Sequence, residues 1–191
     1  MSDDAKQRIL RAAIHLFAHK GYGSTSVREV VERAGVTKPT LYYWFANKES
    51  LYLECLQATF AELHPLVHDA VNGPGSVQDR LVRFVHDYVQ KGLDDLDGVR
   101  LALTATNPTF EERPEIDLMS FHTEYFAPLA QLLSEGIDAG VFRRDIDPEF
   151  AVVALIGPVS MHLRGAVEGF DLPDDYAKRT VQLFMHGVTS Q

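Results

Sequence analysis

The chain has 191 residues, a net charge of −9 and a single cysteine, Cys55. Its hydrophobic (46%) and charged (24%) contents are typical of a globular protein and exclude a disordered chain, while one cysteine excludes an internal disulfide. The amino terminus lacks the apolar core of a signal peptide, and the apolar stretch 151–163 is too short to span a bilayer. We therefore expect a cytoplasmic protein with no membrane partner.

The charge is unevenly distributed along the chain. Residues 1–50 contain eight Lys and Arg against five Asp and Glu, a net +3, whereas residues 51–191 contain ten against twenty-two, a net −12. A basic segment beside an acidic remainder is typical of a protein in which one part approaches phosphate. We predict two domains that meet at this boundary, 1–50 and 51–191.

Helical periodicity runs through almost the whole sequence, and strand-like alternation is absent over any useful length. The first helix is expected over about residues 4–20, where apolar residues recur at helical spacing. Ser26 and Glu29 form the capping-box pattern of a second helix, and Gly35 supplies a turn after it. Thr37 is a good cap for a third helix. These residues predict two short helices around a tight turn.

The remaining elements are also helical. Asn47 is expected to cap a fourth helix that ends before Pro65, and Ser76 to cap a fifth. Further helices are predicted over about residues 99–106, 115–139, 148–167 and 173–188. The sequence therefore predicts an all-α fold of about nine helices, with a three-helix helix-turn-helix domain followed by a helical bundle.

The third helix has two different sides. Leu41, Trp44 and Phe45 recur at i, i+3 and i+4 and define its buried side, which leaves two tyrosines pointing outward. Such a surface is either an exposed or protein-binding patch, or a helix that enters the major groove of DNA, where hydroxyl groups meet phosphates and bases. We favour the second interpretation and predict double-stranded DNA as a partner. The predicted DNA-binding residues are Thr25, Arg28, Thr37, Lys38, Pro39, Thr40, Tyr42, Tyr43 and Lys48.

These residues also carry a resemblance to a known family. The chain resembles the amino-terminal domain of tetracycline-repressor (TetR) family regulators over its first fifty-five residues or so. The resemblance implies a homodimer, an effector site in the second domain, and DNA contacts from five of the residues just named, Lys38, Thr40, Tyr42, Tyr43 and Lys48. It rests on Gly21-Tyr22, Thr25-Ser26-Val27, Ala34-Gly35-Val36, Leu41-Tyr42-Tyr43, Phe45, Lys48-Glu49 and Leu51, with Gly140-Val141-Phe142 further along.

The helix over 148–167 is apolar around most of its circumference, so it must be buried on more than one side. It is either the centre of a monomeric bundle or, with the last helix, half of a four-helix interface between two copies. We favour the homodimer, which predicts a palindromic operator. The predicted interface residues are Phe150, Ala154, Leu155, Pro158, Met161, Val181, Phe184, Met185 and Val188.

Polar side chains scattered among apolar ones in the middle helices suggest a ligand pocket. A few polar anchors among aromatic residues suit a small, mainly apolar effector molecule. The candidate pocket residues are His64, His68, His86, Tyr88, Arg100, Asn107, Phe121, His122, Tyr125, Met161 and His162.

Other chemistry is not indicated. The pairs His15 and His19, and His64 and His68, have the i,i+4 spacing of metal ligands, but no cysteine or carboxylate cluster accompanies them in the sequence. Cys55 lies on an apolar helix face, where a buried thiol is inert. Nucleophile, phosphate-loop and dinucleotide motifs are absent. We expect no enzyme activity, no cofactor and no metal.

The sequence thus predicts a dimeric, ligand-responsive transcriptional repressor that the effector releases from DNA. Two alternatives stay open. One is a helical small-molecule-binding protein without DNA-reading activity, and the other is an activator or a corepressor-dependent regulator built on the same DNA-binding domain. A catalytic helical bundle is a more distant alternative.

Overall fold

The computed structural model describes residues 3–105, 113–171 and 173–189. Within these residues the secondary structure is helical, apart from one isolated bridge between Phe142 and Thr189. The prediction of an all-α fold is confirmed. The helices are α1 Asp3–Ser24, α2 Val27–Ala34, α3 Lys38–Trp44, α4 Lys48–Ala61, α5 His64–Asn72, α6 Val77–Asp94, α7 Leu96–Ala105, α8 Leu118–Asp138, α9 Pro148–Val167 and α10 Tyr176–Val188.

The predicted caps of the helix-turn-helix are present. The Ser26 side chain accepts a hydrogen bond from the Glu29 N–H, and the Glu29 carboxylate accepts one from the Ser26 N–H. Gly35 has φ 62°, a left-handed conformation that costs glycine little, and Thr37 caps α3. Local signals therefore determine where α2 ends and α3 begins.

One helix is absent from the sequence prediction. Pro65 was expected to mark the end of a helix, but it lies in the first turn of α5, which starts at His64. The missing N–H of proline costs nothing there, because the first N–H groups of a helix have no intrahelical partner. This helix raises the number in the described residues to ten, against the nine or so predicted.

The described residues form two compact units. The first unit comprises those within 1–59 and 95–117, and the second those within 60–94 and 118–191. In the first unit α1 packs against α2, α3 and α7. This packing differs from a simple division at residue 50, because α7 joins the first unit although it follows α6 in the chain. A boundary at residue 50 between a DNA-binding domain and an effector-binding domain remains a prediction.

The second unit is a helical bundle. Helix α8 packs against α5 and α9, and α6 packs against α5, α9 and α10. The end of α8 is fixed by Gly140, at φ 73°, after which the N–H groups of Val141 and Phe142 both donate to the Gly136 carbonyl. The Phe142 ring then lies so close to Gly136 that a Cβ there would be 2.4 Å from it. The Gly-x-Phe pattern thus closes α8 onto the bundle.

Helix α9 is unusually apolar. Of the described helices, it alone is long and apolar enough to cross a membrane by length and composition, a test that core helices of soluble proteins also pass. Gly157 and Pro158 do not interrupt it. One side of α9, including Val152, Leu155 and Val159, is buried within the second unit. The opposite side is exposed.

Candidate DNA-binding and dimerisation surfaces

Helix α3 presents its tyrosines outward. Leu41 and Phe45 are buried, and Trp44 is half-buried, as the helical spacing predicts. Tyr42 is 49% exposed and Tyr43 is 63% exposed, a large fraction for aromatic side chains. The inward residues fix the helix on the first unit, so the outward ones are held on a rigid element.

The amino-terminal end of α3 offers further polar groups. The Thr37 hydroxyl accepts a bond from the Thr40 N–H and lies 2.9 Å from the Thr40 hydroxyl. Lys38 and Pro39 are exposed, and Lys38 makes no ion pair with the residues that the structure describes. This end of α3 therefore combines a free ammonium group with hydroxyl and ring edges, the groups that contact DNA phosphates and bases.

Lys48 has a role that the sequence did not reveal. Its ammonium group donates to the carbonyls of Tyr22, at 2.8 Å, and Thr25, at 3.0 Å, and lies 4.1 Å from the centre of the Tyr22 ring. These bonds join the start of α4 to the last turn of α1 and to the residue that follows it. An ammonium group has three donors, so one remains for the phosphate contact predicted from the sequence.

Thr25 does not fit the predicted phosphate contact. Its side chain is 1% exposed, and its hydroxyl donates to the Gly21 carbonyl at 2.8 Å. A buried hydroxyl that is already bonded is unavailable to DNA, so the prediction for this side chain is corrected. Arg28, in contrast, is exposed and bonds to the Glu32 carboxylate at 2.8 Å, a surface pair in which a phosphate can replace Glu32.

The capping box also shapes the local charge. The Lys20 ammonium group and the Ser26 N–H and hydroxyl all donate to Glu29 and lower the pKa of its carboxyl group to about 2. Glu29 is therefore an anion at neutral pH, held at the start of α2 where the helix dipole stabilises it.

A second exposed surface lies on α9 and α10. It comprises apolar side chains that point away from their own unit, with Phe150 73% exposed and Leu183 77% exposed. A groove of about 830 Å³ runs between the two helices. We call this surface the α9–α10 face; it consists of Phe150, Val153, Ala154, Pro158, Met161 and Leu183.

Part of the predicted dimer interface is corrected. Three of its residues are buried in the core of the second unit and cannot meet a partner, namely Leu155, Val181 and Met185, while Val188 is buried at the edge of the groove. Phe184 is half-buried at the groove. Val153 and Leu183 are also exposed but are not among the predicted interface residues; for Val153 the reason is that a helix apolar all round gives no sequence signal for which side its own core covers.

The predicted pocket residues fall into separate places. His64, His68 and His86 are exposed, which does not fit polar anchors inside an enclosed pocket, and Met161 belongs to the α9–α10 face. Arg100 is half-buried in the first unit. Asn107 and the side chains of Phe121 and His122 lie outside the described residues.

Two ring contacts and one hydrogen bond of the second unit involve the other candidates. The rings of His64 and Tyr125 are 4.6 Å apart, and Tyr125 is buried. Burial raises the pKa of the Tyr88 hydroxyl, which bonds to the Ser160 side chain. His162 stacks on Tyr176 with ring centres 3.5 Å apart, beside the α9–α10 groove.

Comparison with known proteins identifies the class. Residues 9–55 match the family described as bacterial regulatory proteins, tetR family, and residues 74–188 match the tetracyclin repressor-like C-terminal domain. Together the two matches cover well over half of the chain. The chain belongs to the TetR family of helix-turn-helix, DNA-binding transcriptional regulators, which are not enzymes.

Individual relatives agree with this assignment. The uncharacterised HTH-type transcriptional regulator YdeS of Bacillus subtilis is 26% identical over 185 residues, covering 94% of this chain and 87% of YdeS. The fatty acid degradation regulator FadR from Bacillus halodurans has a TM-score of 0.84 at 22% identity, covering 98% of this chain and 97% of that one. FadR from Bacillus subtilis, in complex with stearoyl-CoA, has a TM-score of 0.78 at 19% identity, covering 95% and 98%.

Proposed function

We propose that this protein is a cytoplasmic homodimeric repressor that reads a palindromic operator with α3 and leaves it when a fatty acyl thioester binds. The observation that carries the DNA-reading part is the pair of exposed tyrosines, Tyr42 and Tyr43, on a helix whose other side is buried. A helix-turn-helix protein lays its second helix in the major groove, with the amino-terminal residues of that helix against the bases. Lys38, Pro39 and Thr40 occupy those positions.

The exposed α9–α10 face supports the homodimer. Contiguous exposed apolar surface of this kind is rare on monomeric proteins and marks an interaction site. The stripe on α9 continues across the groove to Leu183 on α10, so two copies related by a two-fold axis would bury both helices of each chain. A second copy therefore covers the side of α9 that its own unit leaves exposed, and no membrane is required.

The two-fold axis determines the form of the operator. Two α3 helices related by the axis contact two equivalent half-sites, about one helical turn of DNA or a multiple apart. A dimer bound across a promoter blocks transcription, which favours the repressor over the activator and corepressor-dependent alternatives.

The class of effector comes from the relatives. FadR of Bacillus subtilis has been crystallised with stearoyl-CoA, and its fold covers nearly all of this chain. A long acyl chain is the mainly apolar ligand that the composition of the middle helices suggests. Of the predicted pocket residues, Tyr125 is buried in the second unit with the exposed His64 ring against it, and its hydroxyl is our candidate for a polar anchor. Effector and operator would bias one conformational equilibrium, so each must weaken the binding of the other by the same factor.

The proposal is tested with an operator selected from random duplex DNA. Fluorescence anisotropy measures operator affinity while stearoyl-CoA is added, with free coenzyme A as the matched control. We expect stearoyl-CoA to lower operator affinity by about tenfold or more, and free coenzyme A to leave it unchanged. In vitro transcription from a promoter that overlaps the operator should fall on addition of protein and recover with stearoyl-CoA.

Other results separate the alternatives. Transcription that rises on addition of protein indicates an activator, and DNA binding that requires an added ligand indicates a corepressor-dependent regulator. An operator affinity that stearoyl-CoA does not change removes acyl thioesters as the effector class. If the protein binds stearoyl-CoA but no operator sequence is selected, the small-molecule-binding protein that does not read DNA is favoured.

A further inference from the structure

Two histidines of α1 converge on one carboxylate of α7. His15 Nδ1 lies 2.7 Å from one oxygen of Asp97, and His19 Nε2 lies 2.8 Å from the other. The two rings are 4.5 Å apart, and the donor atoms of the three residues all lie within 4.8 Å of one another. All three residues belong to the first unit, and each is partly exposed.

From this geometry we propose that His15, His19 and Asp97 bind a divalent transition-metal ion such as Zn²⁺. The bound ion would join α1 to α7. Two imidazole nitrogens and one carboxylate oxygen are the ligand set of many three-ligand zinc sites, in which the fourth position remains open to water. Borderline nitrogen donors favour Zn²⁺, Co²⁺ or Ni²⁺ over Mg²⁺ and Ca²⁺, which prefer oxygen alone. The i,i+4 spacing puts both histidines on one side of α1.

The ligands need little rearrangement to accept the ion. Metal–ligand distances of about 2.0–2.2 Å place tetrahedral ligand atoms roughly 3.3 Å or slightly more apart. The histidine nitrogens bond to different oxygens of Asp97, and the donor atoms all lie within 4.8 Å of one another, so each pair must shift by at most about 1.5 Å to reach this spacing. A carboxylate only accepts hydrogen bonds, so the two nitrogens that face Asp97 carry protons when the metal is absent. Each neutral ring can move that proton to its other nitrogen and present a lone pair to the metal.

The surroundings restrict which ions bind. The Asp97 carboxylate offers oxygen ligands to the ion and accepts the hydrogen bonds of His15 and His19 when the metal is absent. Arg8, Arg11 and Arg33 line the same cleft as His15 and Asp97. Their positive charge repels loosely held cations, so binding depends on direct coordination by the three side chains.

Isothermal titration of the full-length, tag-free protein with Zn²⁺ alone, and absorption spectroscopy with Co²⁺ alone, test the proposal. We expect one Zn²⁺ per chain and a Co²⁺ spectrum with visible bands of a site containing nitrogen ligands. His19→Gln and Asp97→Asn should each lower Zn²⁺ affinity at least about tenfold, as loss of a ligand does. His68→Gln and His86→Gln, which remove exposed histidines of the second unit, are the matched controls and should leave it unchanged.

A second readout separates binding from folding, because the same side chains hold α1 against α7 without metal. Zn²⁺ should raise the Tm of the wild-type protein and of both controls, and it should fail to raise the Tm of His19→Gln and Asp97→Asn, whatever their starting Tm. The absence of saturable Zn²⁺ binding would overturn the proposal. Equal Zn²⁺ affinities in the site variants and the controls would also overturn it.

Discussion

Two exposed surfaces of this molecule are rich in large side chains, but they differ in chemistry. The outward side of α3 carries Tyr42 and Tyr43, whose rings end in hydroxyl groups, next to the free ammonium group of Lys38. The α9–α10 face carries Phe150 and Leu183, which have no polar atoms in their side chains. The first surface suits a hydrated, negatively charged partner. The second suits an apolar partner surface from which water is excluded.

This difference shows why exposure alone does not identify a binding site. Each surface is held by a buried opposite side, Leu41 and Phe45 on α3 and Leu155 and Val159 on α9. What distinguishes them is whether the outward groups can bond to phosphate and base edges or only exclude water. We propose that DNA binds α3 and that a second copy of the chain binds the α9–α10 face, and the variants below test each proposal separately.

Leu183→Asp should have the largest effect, because it breaks the apolar character of the α9–α10 face. A two-fold interface would bury two copies of the new carboxylate without partners, and each unpaired buried charge costs several kcal/mol. We expect a folded monomer by sedimentation equilibrium and an operator affinity lowered by at least about a hundredfold.

Val141→Asp is the matched control for that variant. Val141 is exposed in the turn after α8 and is not among the residues that line the groove. It should remain dimeric and bind the operator normally. A Leu183→Asp protein that stays dimeric would refute the assignment of this face to a second copy.

Lys48→Met tests the structural role found for the Lys48 ammonium group. The variant keeps the apolar stem but leaves the carbonyls of Tyr22 and Thr25 without this donor. Loss of charged hydrogen bonds of this kind costs about 2 kcal/mol in the free energy of unfolding, measurable by urea titration. Lys38→Met, which removes an exposed lysine, should leave the free energy of unfolding unchanged. Equal stability of the two variants would show that Lys48 does not support the fold.

Tyr42→Phe sharpens the assignment of α3 to DNA. Removal of one hydroxyl that is proposed to bond to DNA should lower operator affinity by roughly fivefold, about 1 kcal/mol, without changing the Tm, because Tyr42 is exposed. Lys38→Met should lower the slope of log affinity against log salt by about one phosphate contact. Binding to non-specific DNA measures the background for both. Unchanged affinity and salt slope in the two variants together would argue against α3 as the DNA-reading element.

Glu29→Gln should have the smallest effect. The folded-state pKa of Glu29, about 2, lies below its ordinary value of 4.5, so its contribution to stability is complete above pH 4.5 and is lost as the pH falls towards 2. Thermal unfolding between pH 5 and about 2 should therefore show a shallower loss of Tm in the variant than in the wild type. Glu168→Gln, at the exposed end of α9, is the control. Parallel curves of Tm against pH for the wild type and Glu29→Gln would show that the ionisation of Glu29 does not contribute to stability.

Helix boundaries in the first fifty residues could be predicted from the sequence. The caps at Ser26 and Thr37 and the turn at Gly35 are confirmed, because each depends on residues within three or four positions. Pro65 misled the prediction, because a proline that follows one helix is equally acceptable in the first turn of the next.

Contacts between distant residues leave no local signal. The sequence separates His15 from Asp97 by 82 positions, so the carboxylate that completes the histidine pair is visible only in the folded chain. Leu155 and Val153 are both apolar residues of the apolar helix α9, and only packing shows that the first is buried and the second exposed. Thr25 stands beside the cap residue Ser26, yet its hydroxyl turns inward to the Gly21 carbonyl.

Selection of random duplex DNA on the purified protein, followed by affinity measurements against salt concentration, tests the central claim most directly. We expect one palindromic sequence, bound by a dimer at least about a thousandfold more tightly than random DNA, with a steep negative salt slope. Failure to enrich any sequence, with only weak and salt-sensitive binding to all DNA, would contradict the claim that α3 reads an operator.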